Sequence, residues 1–238
     1  MRAKLYSLSL SHPSHAARLM LERKGIEHEV VDTLPGLHPL VVRFRGFRGL
    51  TVPALKIDGR RIQGSREISR ALDELQPEPR LLTSPAVEEA ERWGEAALQP
   101  LPRRMFRWGA VHRRHMRRWI ARDVVGMPAP ALMAELNVPV ARMLATRVGA
   151  RDESVRAAVA QLPALLDRVD ALIAEGTLGG DQPNAADFQI GTTVRVFLAY
   201  EDLRDRVEGR PCAELAMRLL PDYPGPIPAF LPKEWLLD

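Results

Sequence analysis

Every convincing strand signal in this chain lies before residue 64, and from residue 86 onward apolar residues recur only at helical spacing. A chain divided in this way cannot close one large sheet, and must set a small α/β unit beside a helical one. Residues 3–8 and 28–32 read as short strands. Between them, residues 14–24 carry apolar side chains at 16, 17, 19, 20 and 21, with Gly25 as a stop signal, so this segment is a helix. Strand, helix and strand in about thirty residues make a βαβ unit with a parallel pair. An irregular stretch with a weak helix over 39–44 follows, ending at Gly46 and Gly49. Residues 52–57 then alternate, Asp58-Gly59 is a two-residue hairpin turn, and residues 60–63 return antiparallel. Ser65 reads as the cap of a helix over 66–75, with Ile68, Ala71, Leu72 and Leu75 on one face.

Pro77, Pro79 and Pro85 mark a linker, which divides the chain into residues 1–76, a connection over 77–85, and an all-helical part over 86–238. Helical patterns cover 86–120, with a bend expected near Pro100 and Pro102, then 129–147, 152–174, 185–200 and 211–219. The proline-rich tail over 221–232 is too irregular for an element of its own, and its Tyr223 and Phe230, with Trp235 beyond, suggest that it packs against the body.

Of the 238 residues, 46% are hydrophobic and 27% charged, an ordinary globular balance. No apolar run approaches the ~18 residues of a membrane span, and the first twenty residues make a poor signal peptide. A cytoplasmic protein without membrane partners is expected. The single cysteine, Cys212, excludes an intramolecular disulfide framework, a CxxC pair and a Cys-rich zinc site, so no metal is expected. Only four of the 34 basic residues are lysine, and the net charge is a modest +4. The densest basic cluster runs from Arg103 to Arg118 with Trp108 inside it, and its spacing reads as an amphipathic helix with a solvated basic side. No nucleic-acid partner is expected.

Four local features bear on family. They are Leu5-Tyr6 followed by Ser11-His12-Pro13-Ser14 and Arg18–Ile26, then Thr51-Val52-Pro53-Ala54-Leu55, Gly64-Ser65-Arg66-Glu67-Ile68, and Asn184-Ala185-Ala186-Asp187-Phe188. In this order and spacing the chain resembles the soluble glutathione S-transferases, of serine type and theta- or zeta-like. The resemblance covers nearly all of the chain. It implies an α/β thioredoxin-like N-terminal domain, an all-α C-terminal domain, a homodimer, and glutathione as cosubstrate without a metal.

The chemistry of these positions agrees with that resemblance. In a thioredoxin-like fold, the turn after the first strand faces the N-terminus of the first helix, where free N–H groups and the helix dipole favour negative charge. Here the turn holds Ser11-x-x-Ser14, which rules out disulfide exchange by its own residues. A serine hydroxyl can instead donate to a bound thiolate. Lowering a thiol pKa from about 8.5 to about 6.5 takes about 2.7 kcal/mol. A charged hydrogen bond of ~1.5–3 kcal/mol together with a helix terminus worth ~0.3–1 kcal/mol supplies that amount. The resemblance makes Ser11 the donor, with Tyr6, in the preceding strand, a weaker candidate. It also implies that Val52 pairs its N–H and C=O with the cysteinyl unit beside a cis Pro53, and that Ser65 receives the γ-glutamyl carboxylate. His38 resembles a contact to the glycine carboxylate, and Arg66 is a candidate to read a carboxylate. Gly64 departs from the family, whose members commonly carry Glu, Gln or Asp there against the γ-glutamyl amine. Gln63 or a residue of the other subunit would have to compensate, or the thiol lacks that group.

The small electrophilic substrate is expected between the two parts, against His12, Arg103, Arg107 and Trp108. Asn184 and Asp187 read as a reciprocal helix cap, and Cys212 as a small buried hydrophobe. The implied activity is transfer of a thiolate to an electrophile. The same scaffold also serves glutathione-dependent isomerases, dehalogenases and non-catalytic binding proteins.

Overall fold

The computed structural model describes residues 2–237. The first part runs β1 (Ala3–Ser7), α1 (His12–Arg23), β2 (His28–Asp32), α2 (His38–Phe44), β3 (Ala54–Ile57), β4 (Arg60–Gln63) and α3 (Ser65–Leu75). The sheet order is β2-β1-β3-β4, with β1 parallel to β2 and antiparallel to β3. Leu5 pairs with both Val30 and Leu55, so β1 lies at the centre of the sheet. This is the thioredoxin-like arrangement expected from the order of the elements. The Val52-Pro53 peptide is cis, and β3 begins after it at Ala54 rather than at Val52, because a proline nitrogen has no hydrogen to give to a ladder.

Two starts differ from the sequence reading. Helix α1 begins at His12, with Ser11 in the capping position but its side chain making no cap bond. Helix α3 begins at Ser65 itself, and the capping position falls to Gly64, at φ 94° and ψ 140°. That backbone region is essentially closed to residues with a Cβ. It turns the chain one residue earlier than a serine cap would, and Ser65 enters the first turn.

The second part is helical. It comprises α4 (Pro85–Trp93), α5 (Pro100–His112), α6 (Arg114–Trp119), α7 (Pro130–Leu136), α8 (Val138–Arg147), α9 (Asp152–Ala174), α10 (Ala185–Ala199), α11 (Arg204–Val207) and α12 (Pro211–Leu219). Ahead of Pro100, where a bend is expected, lies a widened π-helical turn over Gly94–Leu98, closed by Gln99 N–H to the Gly94 carbonyl at 2.8 Å. The wide turn absorbs the N–H groups that Pro100 and Pro102 lack. The segment breaks at Arg113, which is extended. The 129–147 pattern is two helices joined at Asn137, two residues before Pro139, because Pro139 has no N–H to continue the hydrogen-bond ladder of the first helix and is tolerated in the first turn of the second.

Helix α10 is the hub, with fourteen of its fifteen residues buried. Its start is the reciprocal cap expected: the Asn184 side chain accepts from the N–H groups of Ala186 and Asp187, and the Asp187 carboxylate accepts from Asn184 N–H. Phe188 from this helix completes the core of the α/β part, while Ile190, Val194 and Phe197 enter the helical core. The two parts are also joined by polar contacts. Buried Glu91 of α4 accepts from Ser69 Oγ and Arg70 Nη1 of α3, both at 2.7 Å, while within the α/β part buried Lys24 meets Asp73 at 2.6 Å. Among the described residues no helix is long and apolar enough to cross a membrane.

Candidate active site

A cleft of about 430 Å³ lies between the two parts. Its floor on the α/β side is the loop from Leu8 to Pro13, with Thr51 and Val52 at one edge and His38 from α2 at another. The helical side contributes Arg103, Phe106 and Arg107 from α5, Arg147 from α8, and Val196 and Tyr200 from α10 and its end.

The loop is held from three directions. Ser11 N–H bonds the Leu8 carbonyl at 2.9 Å, His15 Nε2 meets the Ser9 carbonyl at 2.7 Å, and Tyr223 Oη donates to the Leu10 carbonyl at 2.8 Å. Tyr223 comes from the proline-rich tail. The tail runs beside the end of α10 through a Tyr200–Ile227 bridge and seats Phe230 against Gly109, where a Cβ would come within 2.7 Å of the ring. Tyr200 Oη donates to the Pro102 carbonyl at 2.7 Å, which fixes the start of α5 against the cleft.

At the start of α1, the Ser14 hydroxyl donates to Ser11 Oγ at 2.9 Å. The N–H groups of Ser14 and His15 both bond the Ser11 carbonyl, and Pro13 has none. The Ser11 hydroxyl therefore accepts from within its own turn and keeps its own proton to give. Val52 lies outside the sheet ladder, and neither its N–H nor its C=O takes part in a backbone hydrogen bond among the described residues. Gly64 N–H donates to the Pro53 carbonyl at 3.0 Å, tying the start of α3 to the cis turn. Ser65 beside it is 2% exposed, and its hydroxyl has no partner among the described residues. An orphaned buried donor at a helix start, an unpaired backbone strand edge and a free serine proton together fit a carboxylate, a peptide unit and a thiolate.

The histidines of the cleft are neutral. Burial, followed by repulsion from Arg103, lowers His12 to about 3, against an opposing contribution from the Gln99 carbonyl. Burial, followed by Arg107 and Arg103, lowers His38 to about 4. His12 Nε2 and His38 Nδ1 are both buried without a partner among the described residues. Burial also lowers the pKa of Arg103 and Arg107. Arg103 remains open to solvent through the mouth of the cleft, and it is the concave protein surface around it that thins its water. The positive charge in the cleft is thus carried by guanidinium groups alone.

Of the residues singled out in the sequence, Ser11, His12, His38, Val52, Arg103 and Arg107 meet in this cleft. Pro53, Gly64 and Ser65 adjoin it through Val52. Two do not belong there. Trp108 is buried in the helical core, where its Nε1 donates to Asp152 at 2.7 Å and its ring stacks on His112. Helical spacing accounts for this: Leu101, Met105 and Trp108 share the core face of α5, and Arg103 and Arg107 share the other. Arg66 is drawn to the interface between the parts, with Nη1 at 3.4 Å from Glu95 and Nε at 3.8 Å from Glu91. Gln63 is also committed, accepting from Gly49 N–H at 2.7 Å and donating to the Thr51 carbonyl at 3.0 Å. Both of its amide atoms hold the loop before Val52. Tyr6 is buried against Phe47 in the sheet. Cys212 is buried far from the cleft with its thiol pushed up to about 12 by burial, followed by Asp170. No cluster of three or more metal-ligating side chains exists among the described residues.

Arg147, Tyr200 and Tyr223 were not singled out as cleft residues from sequence. Of these, only Tyr223 carried a signal, as an aromatic in an otherwise irregular tail.

Residues 5–80 match the family described as glutathione S-transferase, N-terminal domain. This segment is a glutathione S-transferase N-terminal domain. The whole chain has the glutathione S-transferase fold as well. It is similar to a glutathione S-transferase of Rhodospirillum rubrum F11, at 21% identity and a TM-score of 0.55 over 99% of this chain and 98% of that one. It is also similar to one from Methylobacterium radiotolerans in complex with glutathione sulfonate, at 20% identity and a TM-score of 0.55 over 98% and 97%. A third is the theta-class enzyme of the citrus canker pathogen Xanthomonas axonopodis pv. citri with glutathione bound, at 18% identity and a TM-score of 0.55 over 91% and 95%. No curated protein matches the chain in sequence. The glutathione S-transferase domain supplies the Ser11 loop and the Val52-Pro53 turn, and the helical part supplies the arginines.

Proposed function

We propose that the chain is a serine-type glutathione transferase that activates bound glutathione for attack on a small electrophile. The observation that carries this reading is the Ser11 hydroxyl. It sits at the start of α1 in the cleft, caps nothing, and accepts from Ser14, so that its proton is available to a sulfur. Val52 receives the cysteinyl unit along its free strand edge, and Ser65 with the start of α3 receives the γ-glutamyl carboxylate. The similar structures in complex with glutathione sulfonate and with glutathione support the choice of thiol.

In the reaction, the thiol loses its proton to water, since neutral His12 is too weak a base to hold it. Ser11 donates to the thiolate. The sulfur forms a bond to the electrophilic carbon, and the leaving group departs with the bonding pair.

A second reading, a binding protein without turnover, draws on Gly64, which offers no side chain to the γ-glutamyl amine. Ser11→Ala decides between the two. The transferase reading expects kcat with an activated chloroarene to fall about 10–100-fold, matching a charged hydrogen bond of ~1.5–3 kcal/mol, while glutathione affinity changes by no more than about threefold. Unchanged turnover, or weaker binding with full turnover per bound complex, contradicts the role of Ser11.

A further inference from the structure

Segment 103–118 contains an internal comparison. Arginines of this segment that face protein are engaged: Arg104 donates to the Val148 carbonyl, Arg113 to the Phe230 carbonyl, Arg117 to the Ala134 carbonyl, and Arg114 pairs with Glu135. Arg103 and Arg107 face the cleft, one turn apart on α5, and neither has a hydrogen bond or ion pair among the described residues. Arg147 enters the same cleft from the last turn of α8, likewise without a partner. Among the described residues no aspartate or glutamate lines the cleft. The other walls are apolar, formed by Leu10, Phe106, Ile120, Val196 and Ile227 with the ring of Tyr200. Half-buried Arg107 and the more open Arg103 and Arg147 line one apolar cleft without a counter-charge, and guanidinium groups so placed make a receptor for an anion.

We propose that the electrophile is a carboxylate on an apolar body, its carboxylate held by Arg103, Arg107 and Arg147 and its reactive carbon turned toward Ser11. This rests on the reading of the Ser11 side as the thiol site. The guanidinium forks match a planar carboxylate, and the apolar walls take an aromatic or branched aliphatic remainder. The neutral cleft histidines contribute no charge to this capture.

The test separates binding from turnover. Titration calorimetry with 3,5-dinitrobenzoate and 3,5-dinitrobenzamide, without glutathione, compares two ligands that differ in charge and cannot react by loss of chloride. The acid is expected to bind about tenfold tighter or more, and Arg103→Gln and Arg107→Gln are each expected to remove most of that preference. The corresponding 4-chloro compounds then report turnover: the glutathione sulfur bonds the carbon bearing chlorine and chloride leaves with the bond pair. The same preference is expected in kcat/KM. Equal affinity for acid and amide overturns the proposal. So does displacement of the acid by glutathione, which would assign the arginines to the carboxylates of the thiol itself. Preference for the acid with no binding of glutathione leaves the anion site standing and removes the transferase reading instead.

Discussion

At the scale of single residues, the cleft depends on groups whose partners are withheld. Ser11 has an acceptor's role filled by Ser14 and a donor's role open. His12 is 4% exposed, with Nε2 unpaired, and stays neutral. This has a consequence for stability. An unfolded chain protonates His12 near its ordinary 6.5, whereas the native state resists until about 3. Between those values the unfolded state binds more protons, so the stabilising effect is complete above 6.5 and is lost as pH falls. The slope from this one group approaches about 1.4 kcal/mol per pH unit below 6.5. Urea unfolding at pH 7 and pH 5 should therefore show His12→Asn losing less stability on acidification than the parent chain. An identical loss contradicts the burial of a neutral His12. His12, Arg103 and Arg107 were legible in sequence because short local motifs and i, i+4 spacing carry them. The misplacement of Trp108 has the same origin: it neighbours Arg107 in the chain, and one residue of helical phase separates cleft from core.

At the scale of elements, the strand and helix order of the first part could be read because its turns are written in Gly25, Asp58-Gly59 and Pro53. The start of α3 could not. A Ser before an apolar run looks like a cap, and only the backbone shows that Gly64 takes the position, at φ 94°. Gly64→Ala is expected to destabilise the chain by about 1–3 kcal/mol, measured by denaturant unfolding, although a Cβ there meets nothing closer than Glu67 Cγ at 3.9 Å. A neutral result would show that the turn relaxes to an ordinary cap at Ser65. Helices α9, α10 and α12 matched their periodic segments, whereas the patterns over 86–120 and 129–147 were divided by features that periodicity does not register. Those features are the π-helical turn ahead of Pro100, the extended Arg113 and the joint at Asn137.

At the scale of the whole molecule, the cleft belongs to neither part alone. Ser11 and Val52 come from the α/β part, the arginines from the helical part, and the tail closes the circuit through the Tyr223 bond to the Leu10 carbonyl. Residues separated by more than one hundred positions cannot be paired from spacing, so the sequence does not bring Arg147 and Tyr200 to the cleft, and it shows Tyr223 only as an aromatic of a tail that packs against the body. We propose that two such chains associate. The reading expects a homodimer in sedimentation velocity at micromolar concentration, and a monomer there removes that expectation.

The central claim is that this cleft binds glutathione as a thiolate. Titration calorimetry with glutathione at neutral pH, with the ultraviolet absorbance of the thiolate followed in parallel, tests it most directly. The account predicts saturable binding with the bound sulfur largely ionised, and a weaker thiolate signal in Ser11→Ala. Absence of binding at millimolar glutathione, or binding with the thiol still protonated, would contradict it.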